Sequence, residues 1–483
     1  MSLYIKLFST PNGKYIFDVN SNMMLPILES SFEYLQKLLS EEIQDDVCLP
    51  DELRELKENG YISSDSKVKE IKHSYTDFLP TFLERKLSKI TLQLTQNCNF
   101  RCKYCIYSDT RNLGQRTHSP QIMEWETAKC AIDFIWEHAV DSNSVNIGLY
   151  GGEPLLEFHL LKQIVEYSEE RFRGKALTFN MTSNGTLLNE DIILFLEKHN
   201  ISLMISLDGP REVNDLNRVF ADGRGSYDAV TKGISLVRKV APDYAKNMQI
   251  SMVMDPQLDF DCFNSVCIDG DEFDKLNIVS SIVDYTYDGQ TLCFSEEYTW
   301  KYEYQRFLAL LAHFGRFPDE LVSPILKRSV GMVVKDNIKI DAPSALRYFD
   351  APSGPCIPGQ LRLFVNTYGK FFPCERVSET TPCMCIGSLE EGFNYENASA
   401  ILNVGKITES ACKNCWCFRY CTICAKKADD GTDKLSDIVK ISNCDEVKRA
   451  TINKLKHYLL FKEVPFYYSA EVRRIKSCEV SNQ

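Results

Sequence analysis

The stretch Cys98-Asn-Phe-Arg-Cys102-Lys-Tyr-Cys105 sets three cysteines on one short segment, directly after Lys89-Ile-Thr-Leu-Gln-Leu-Thr-Gln. The preceding run alternates apolar and polar positions and predicts a strand. The thiols therefore fall on the loop beyond a strand's C-terminal end, where parallel sheets and barrels place their chemistry. Three thiolates so close in sequence can hold three irons of a 4Fe–4S cluster and leave the fourth iron without a protein ligand. An open coordination position separates catalytic from structural metal sites. A zinc site or three buried free thiols are the other readings of the same residues.

This spacing, with an aromatic at Tyr104 before the last cysteine, resembles the signature of the radical S-adenosylmethionine (SAM) enzymes. The resemblance implies that Cys98, Cys102 and Cys105 hold a 4Fe–4S cluster whose free iron chelates the amino and carboxylate groups of SAM. It also implies that cluster reduction cleaves SAM to methionine and a 5′-deoxyadenosyl radical, chemistry that belongs to the cofactor while the protein positions and shields it.

Composition narrows the setting. The chain has 483 residues, long enough for two to four domains, with 44% hydrophobic and 25% charged residues as in globular proteins. No run approaches ~18 uninterrupted apolar residues, so no membrane span is expected. The start lacks a basic region, apolar run and cleavage site, so the expected compartment is the cytoplasm. A net charge of −12 argues against a nucleic-acid partner. Nineteen cysteines in a reducing compartment call for metal rather than disulfides, and ten of them fall between Cys356 and Cys444.

Residues 1–80 read as a separate module. Lys14–Val19 and Met23–Ile27 flank Asn20-Ser-Asn as a β-hairpin; helical apolar spacing follows from Phe32, and a second helix from Asp51 ends at Gly60. This order resembles the winged-helix-like leader-recognition domain of peptide-modifying enzymes, which captures a leader by strand addition. An N-terminal cap that only packs on the rest is the alternative. Neither cluster ligands nor SAM motifs lie here, so removing the first 77 residues is expected to spare SAM cleavage.

From 81 to about 300, strands and helices alternate, the pattern of a parallel sheet with crossover helices. The resemblance implies an α/β fold: a partial (β/α)6 radical SAM barrel, open on one side. Gly151-Gly152-Glu153-Pro154 ends the second strand, where glycines permit close backbone approach to a ligand. By resemblance, this motif meets the SAM amino group through its backbone and the Glu153 carboxylate. Ser183 and Asn184, in Thr182-Ser-Asn-Gly185, would lie near the ribose. Ser206 and Arg218 would take the SAM carboxylate, a charge-assisted pairing. Asp208, in Ser206-Leu-Asp-Gly-Pro210, either joins them or caps the following turn. Asn214 stands where the family often has histidine, so no acid or base is assigned there. Residues 301–350 read as a bridging region, and the aromatics of Trp300–Phe314 as core.

Residues 351–483 hold the series Cys356, Cys374, Cys412, Cys415, Cys421, Cys424 and Cys444, with a closing helix from Lys448 to Phe461. This series resembles the SPASM auxiliary-cluster domain, although two residues separate Cys421 from Cys424 where the family usually has three. The resemblance implies two auxiliary 4Fe–4S clusters, three in all. Cys412, Cys415, Cys421 and Cys444 would hold the distal one, and Cys356, Cys374 and Cys424 the nearer one. Cys417, Cys383 or Cys385 could supply a fourth ligand to the nearer cluster, or its iron could stay open to a substrate thiolate. Paired Cys-x2-Cys also serves zinc ribbons. Core packing is expected for most of Cys48, Cys130, Cys262, Cys267, Cys293 and Cys478.

The function expected from this reading is a maturase that installs sulfur-to-carbon thioether links in a ribosomal precursor peptide. The peptide would be held by its leader, and a flavodoxin or ferredoxin would donate electrons. A carbon–carbon cross-linking maturase, a sulfatase-type formylglycine maturase and a non-catalytic iron–sulfur carrier are the alternatives.

Overall fold

The computed structural model describes residues 3–42, 49–107, 118–268, 277–284, 292–340 and 342–480. Strands β1 (Ile5–Ser9), β2 (Lys14–Asp18) and β3 (Met23–Ile27) form an antiparallel sheet in that order. The expected hairpin is β2–β3, and its turn carries Asn22 at φ 60°, a left-handed position asparagine tolerates. The extra strand β1 was not foreseen, although Thr10-Pro-Asn-Gly13 between it and β2 is a hairpin-turn signal. Helix α1 (Glu29–Leu39) buries Phe32, Leu35 and Leu38 against this sheet, one stripe at helical spacing. Helix α2 (Asp51–Glu58) stops at Gly60, φ 84°, with the Gly60 and Tyr61 amides returning to Lys57 and Leu56.

A two-residue strand β4 (Glu70–Ile71) and helix α3 (Leu79–Arg85) lead into the main sheet. There β5 (Lys89–Thr95), β6 (Ser144–Gly151), β7 (Ala176–Ser183), β8 (Ile201–Ser206), β9 (Gln249–Met254) and β10 (Asn277–Ile282) run parallel, each beside the next. Their crossovers are helices α4 (Trp125–His138), α5 (Phe158–Arg171), α6 (Glu190–Lys198), α7 (Arg211–Asn217) with α8 (Tyr227–Val240) and α9 (Pro242–Ala245), and α10 (Phe260–Ile268). This is the expected six-stranded partial barrel. Strand β5 is buried along almost its whole length, as a parallel strand covered on both faces must be.

Residues 301–350 contain most of helix α11 (Glu296–His313) and helix α12 (Pro324–Ile340), packed on one another and on the last barrel units. The aromatics of α11 divide by face, which corrects the expectation of a uniformly aromatic core. Tyr298 is buried, whereas Trp300 is 70% exposed and Tyr304 and Phe307 are exposed with it. Their four- and three-residue spacing puts these three on the outer stripe.

The cysteine-rich region continues the barrel sheet, which sequence reading did not foresee. After β11 (Phe349–Asp350), which pairs with β4, strand β12 (Leu363–Val365) adds parallel to β5 at the sheet's edge. Strands β13 (Lys370–Phe372), β14 (Gly387–Ser388) and β15 (Gly392–Phe393) follow antiparallel. Leu363, Phe364 and Val365 are wholly buried, so the junction is core rather than linker. Helices α13 (Tyr395–Leu402), α14 (Glu409–Cys412), α15 (Asp437–Ser442) and α16 (Cys444–Val480) complete the chain. The last begins at Cys444 and runs well past the expected Lys448–Phe461.

The N-terminal sheet shares a core with this C-terminal region. Tyr4, Phe8, Phe17, Val19, Val68 and Ile71 pack with Phe418, Leu455, Tyr458 and Leu459. Arg419 donates to the Val19 and Asn20 carbonyls, and the Tyr420 hydroxyl donates to Asn22 at 2.6 Å.

Candidate active site

The cysteine loop leaves β5 as expected, with Cys102 buried and Cys98 and Cys105 half-buried. It is held by backbone bonds to a distant segment. The Arg101 amide donates to Val219, the Lys103 amide to Asn217, and Phe100 meets Phe220 edge-on at 4.8 Å. The Phe100 amide donates to Cys98 Sγ at 3.3 Å. Burial pushes the Cys98 thiol up to about 12 and the Cys102 thiol to about 11; Arg218 works against the latter shift. Negative charge on Cys102 or Cys105 raises Cys98 further, so the loop gathers the three sulfurs. Such thiols stay neutral until a metal deprotonates them.

Gly151 and Gly152 serve this loop directly. The Gly152 amide donates to the Thr95 carbonyl and the Glu153 amide to the Asn97 carbonyl, each at 2.9 Å. A Cβ on Gly152 would collide with the Asn97 carbonyl and stand 3.1 Å from Cys98 Cβ. The close approach that requires glycine is thus one of protein backbone to protein backbone. Gly152→Ala is accordingly expected to displace Cys98, lowering SAM-dependent 5′-deoxyadenosine formation about 100-fold or more, since small misplacements of reacting groups have that scale of effect. Wild-type turnover in Gly152→Ala would show that the packing is dispensable.

Glu153 is fully buried and its carboxylate is already engaged. It accepts from Ser183 Oγ at 2.8 Å, from the Asn184 amide at 2.7 Å and from the Leu155 amide at 3.1 Å. Burial raises its pKa while these three donors oppose the rise. Asn184 Nδ2 donates to Asn99 Oδ1 at 2.7 Å, and Asn99 Nδ2 to Thr186 Oγ1 at 2.9 Å. Ser183 and Asn184 therefore tie the ends of β6 and β7 to the residue next to Cys98. Asn99 was missed at the sequence level, where nothing distinguishes it from any loop asparagine.

Tyr104 lies over a second buried network. Its hydroxyl donates to Asp208 and accepts from Arg218 Nη1 at 2.8 Å. Asp208 also accepts from the Val253 amide at 3.0 Å, so it joins strand ends rather than capping its own turn. Burial raises the Asp208 carboxyl, with Arg218 and Tyr104 pulling it back. Arg218 Nε is buried and has no hydrogen-bond partner among the described residues. Ser206 stands half-buried at the end of β8. Asn214 donates to Asp215 and Ser226, both at 3.0 Å, a bracing role that suits its lack of acid–base chemistry.

The C-terminal thiols fall into groups. Charges on Cys412 and Cys444 act on Cys415, and charges on Cys412 and Cys415 act on Cys421, which brings all four distal cysteines together. Cys374 is within electrostatic reach of Cys424. Cys356 is exposed, but its segment lies along the same turn. Ser353 Oγ donates to the Cys421 carbonyl at 3.0 Å, and Gly354 abuts Ile423 with no room for a Cβ. Cys417 is buried, donates to Thr451 Oγ1 at 3.1 Å and packs with Cys415, Cys421 and Cys444. Cys417→Ala is therefore expected to keep full iron and SAM cleavage; loss of about four irons in that variant would restore Cys417 as a ligand. Cys383 is buried, and Cys385 donates to the Gly387 carbonyl at 3.4 Å.

Among the described residues, no three Cys, His, Asp or Glu side chains converge on a single-ion site. Cys130 and Cys293 are exposed, which corrects their expected core role, and Cys262 is half-buried. Cys48 lies outside the described residues, as do the side chains of Cys267 and Cys478.

Residues 92–263 match the Radical SAM superfamily model, and this stretch of the chain is a radical SAM core. Three similarities go further. The radical SAM cyclopropyl synthase TigE of Paramaledivibacter caminithermalis is 28% identical over 191 residues, 38% of this chain and 39% of that protein. A cysteine-type anaerobic sulfatase-maturating enzyme of Clostridium novyi is 26% identical over 162 residues, 33% of this chain and 42% of its own length. The chain thus spans about two fifths of these curated relatives. The solved structure of native anSMEcpe with bound AdoMet and Cp18Cys peptide superposes with a TM-score of 0.54 at 18% identity, covering 77% of this chain and 99% of that one. At that identity the likeness is one of fold. Among the described residues, no helix is long and apolar enough to cross a membrane.

Proposed function

We propose that this radical SAM enzyme oxidises a side chain within a polypeptide, by chemistry of the sulfatase-maturating type. The observation that carries the proposal is the fusion of the cysteine-rich region to the barrel through β12 and β5. One sheet then connects β5, which leads into the Cys98 loop, to β13, which leads into Cys374. The similarity to a sulfatase-maturating enzyme supports this reading over the thioether cross-link expected from cysteine pattern alone. The thioether reading keeps one observation in its favour: among the described residues, β3 is a sheet edge of the N-terminal module with no strand on its outer side, suited to strand addition by a leader peptide.

The residues present fit SAM and its cluster. Cys98, Cys102 and Cys105 would hold the cluster, and the unpartnered Nε of Arg218 is the kind of buried orphan that a carboxylate satisfies. When bound, the two supply a 5′-deoxyadenosyl radical able to remove hydrogen from an unactivated carbon. Tyr104, Asp208 and Arg218 orient the loop and keep water from it, while Glu153, Ser183 and Asn184 hold the backbone around Cys98. Cys412, Cys415, Cys421 and Cys444 would hold one auxiliary cluster, and Cys374 and Cys424, with Cys356, a second. A flavodoxin or ferredoxin in the cytoplasm suits the electron supply.

The test is anaerobic incubation of the reconstituted enzyme with SAM, reductant and two peptides. One presents a single cysteine in a sulfatase-like context, and the other is a cysteine-rich precursor with its leader. A hydrazide-reactive aldehyde on the first peptide is the expected product. Loss of two hydrogens per link in the second, with the first untouched, would overturn this reading in favour of cross-linking.

A further inference from the structure

Lys440 is a lysine at 2% exposure inside the cysteine-rich region. It comes from α15, four residues before Cys444. Its ammonium donates to Thr408 Oγ1 at 2.6 Å and to Cys412 Sγ at 3.0 Å. The Thr408 hydroxyl is itself 3.1 Å from the same sulfur. Among the described residues, Lys440 meets no carboxylate. An ammonium taken out of water without a counter-charge costs several kcal/mol, so folded proteins seldom tolerate one. Cys412 and its neighbours, as iron-bound thiolates, would supply that counter-charge within hydrogen-bond reach.

We propose that Lys440 is the built-in counter-ion of the auxiliary cluster at Cys412, Cys415, Cys421 and Cys444, and that its charge sets that cluster's reduction potential. The inference rests on the auxiliary-cluster reading above. A four-thiolate 4Fe–4S cluster is an anion, and reduction by one electron makes it more negative. A fixed cation one hydrogen bond from a ligating sulfur favours the reduced state and raises the potential; net charge and hydrogen bonds to sulfur are the levers that tune such centres. Thr408 completes the arrangement by offering a second donor to the same sulfur. The cluster is thereby kept easier to reduce, which suits an acceptor of an electron from a substrate radical.

The experiment uses the full-length chain carrying Cys98→Ala, Cys102→Ala and Cys105→Ala, so that only auxiliary clusters remain. Lys440→Met and Lys440→Arg are added to it separately. Iron and sulfide are counted, and the clusters are titrated with dithionite through redox mediators while reduction is followed by electron paramagnetic resonance. In Lys440→Met, the reduction equilibrium of one cluster is expected to fall about tenfold, a shift of ~59 mV for a one-electron couple. Lys440→Arg keeps the charge and is expected to hold the parental potential. An unshifted potential in fully loaded Lys440→Met overturns the proposal, as does an equal shift in Lys440→Arg. If Lys440→Met sheds a cluster that Lys440→Arg keeps, the counter-ion role stands; if both shed it, shape rather than charge is responsible and the proposal fails. A parent chain without auxiliary iron would overturn the cluster reading itself, an outcome distinct from a loaded parent that ignores Lys440.

Discussion

Replacing Cys98, Cys102 and Cys105 together by alanine is expected to abolish SAM cleavage, with 5′-deoxyadenosine falling to the level of an enzyme-free blank. Iron should drop by about four atoms per chain, from roughly twelve to roughly eight, as one of three 4Fe–4S clusters is lost. The fold should survive. The loop is held by the Arg101, Lys103 and Glu153 amides and by the Phe100–Phe220 contact, none of which uses a sulfur. Alanine also suits sites where burial keeps the free thiols neutral. Anaerobic iron analysis and chromatography of the nucleoside products measure both effects. Residual cleavage at even a tenth of the wild-type rate would mean that another part of the chain binds and reduces SAM.

Removal of residues 1–77 is the second large effect, because the tertiary structure gives this segment a role in stability that the sequence did not reveal. The segment is not only the sheet edge at β3. It supplies Tyr4, Phe8, Phe17, Val19, Val68 and Ile71 to a core shared with Phe418 and Leu455, immediately beside Cys412 to Cys421. Removing it would also strip Arg419 of its acceptors at Val19 and Asn20 and Tyr420 of Asn22. Loss of one buried phenylalanine alone costs about 3–5 kcal/mol. The truncated chain is expected to lose auxiliary iron and to aggregate on mild heating. Phe17→Ala in the full chain, a gentler probe, should lower the melting midpoint by several degrees while the Cys98 loop, on a separate core, keeps its cluster. A truncated chain with full iron and an unchanged midpoint would show that the shared core is not needed.

The sequence by itself determined the cysteine loop after β5, the alternation that makes a parallel partial barrel, and the three strand-end patches beside it. Each rests on a local signal: period-two apolar runs, helical stripes, and glycine or cysteine at short fixed spacing. Glu153, Ser183 and Asn184 were singled out in that way as candidate SAM contacts. Their bonding to one another was not legible, since it joins strand ends about thirty residues apart.

What only the tertiary structure decided lies at longer range still. The three-residue strand β12 is too short to carry a period, yet it extends the barrel because Leu363, Phe364 and Val365 find their partners at Ile90, Thr91 and Leu92. The exposed stripe of Trp300, Tyr304 and Phe307 could not be told from core, because helical spacing names a face without saying which neighbour covers it. Lys440 looked like any surface lysine of a short helix. Its meaning comes from Thr408 and Cys412, some thirty residues earlier in the chain. A buried charge is recognised by what surrounds it, and that is a property of packing rather than of local sequence.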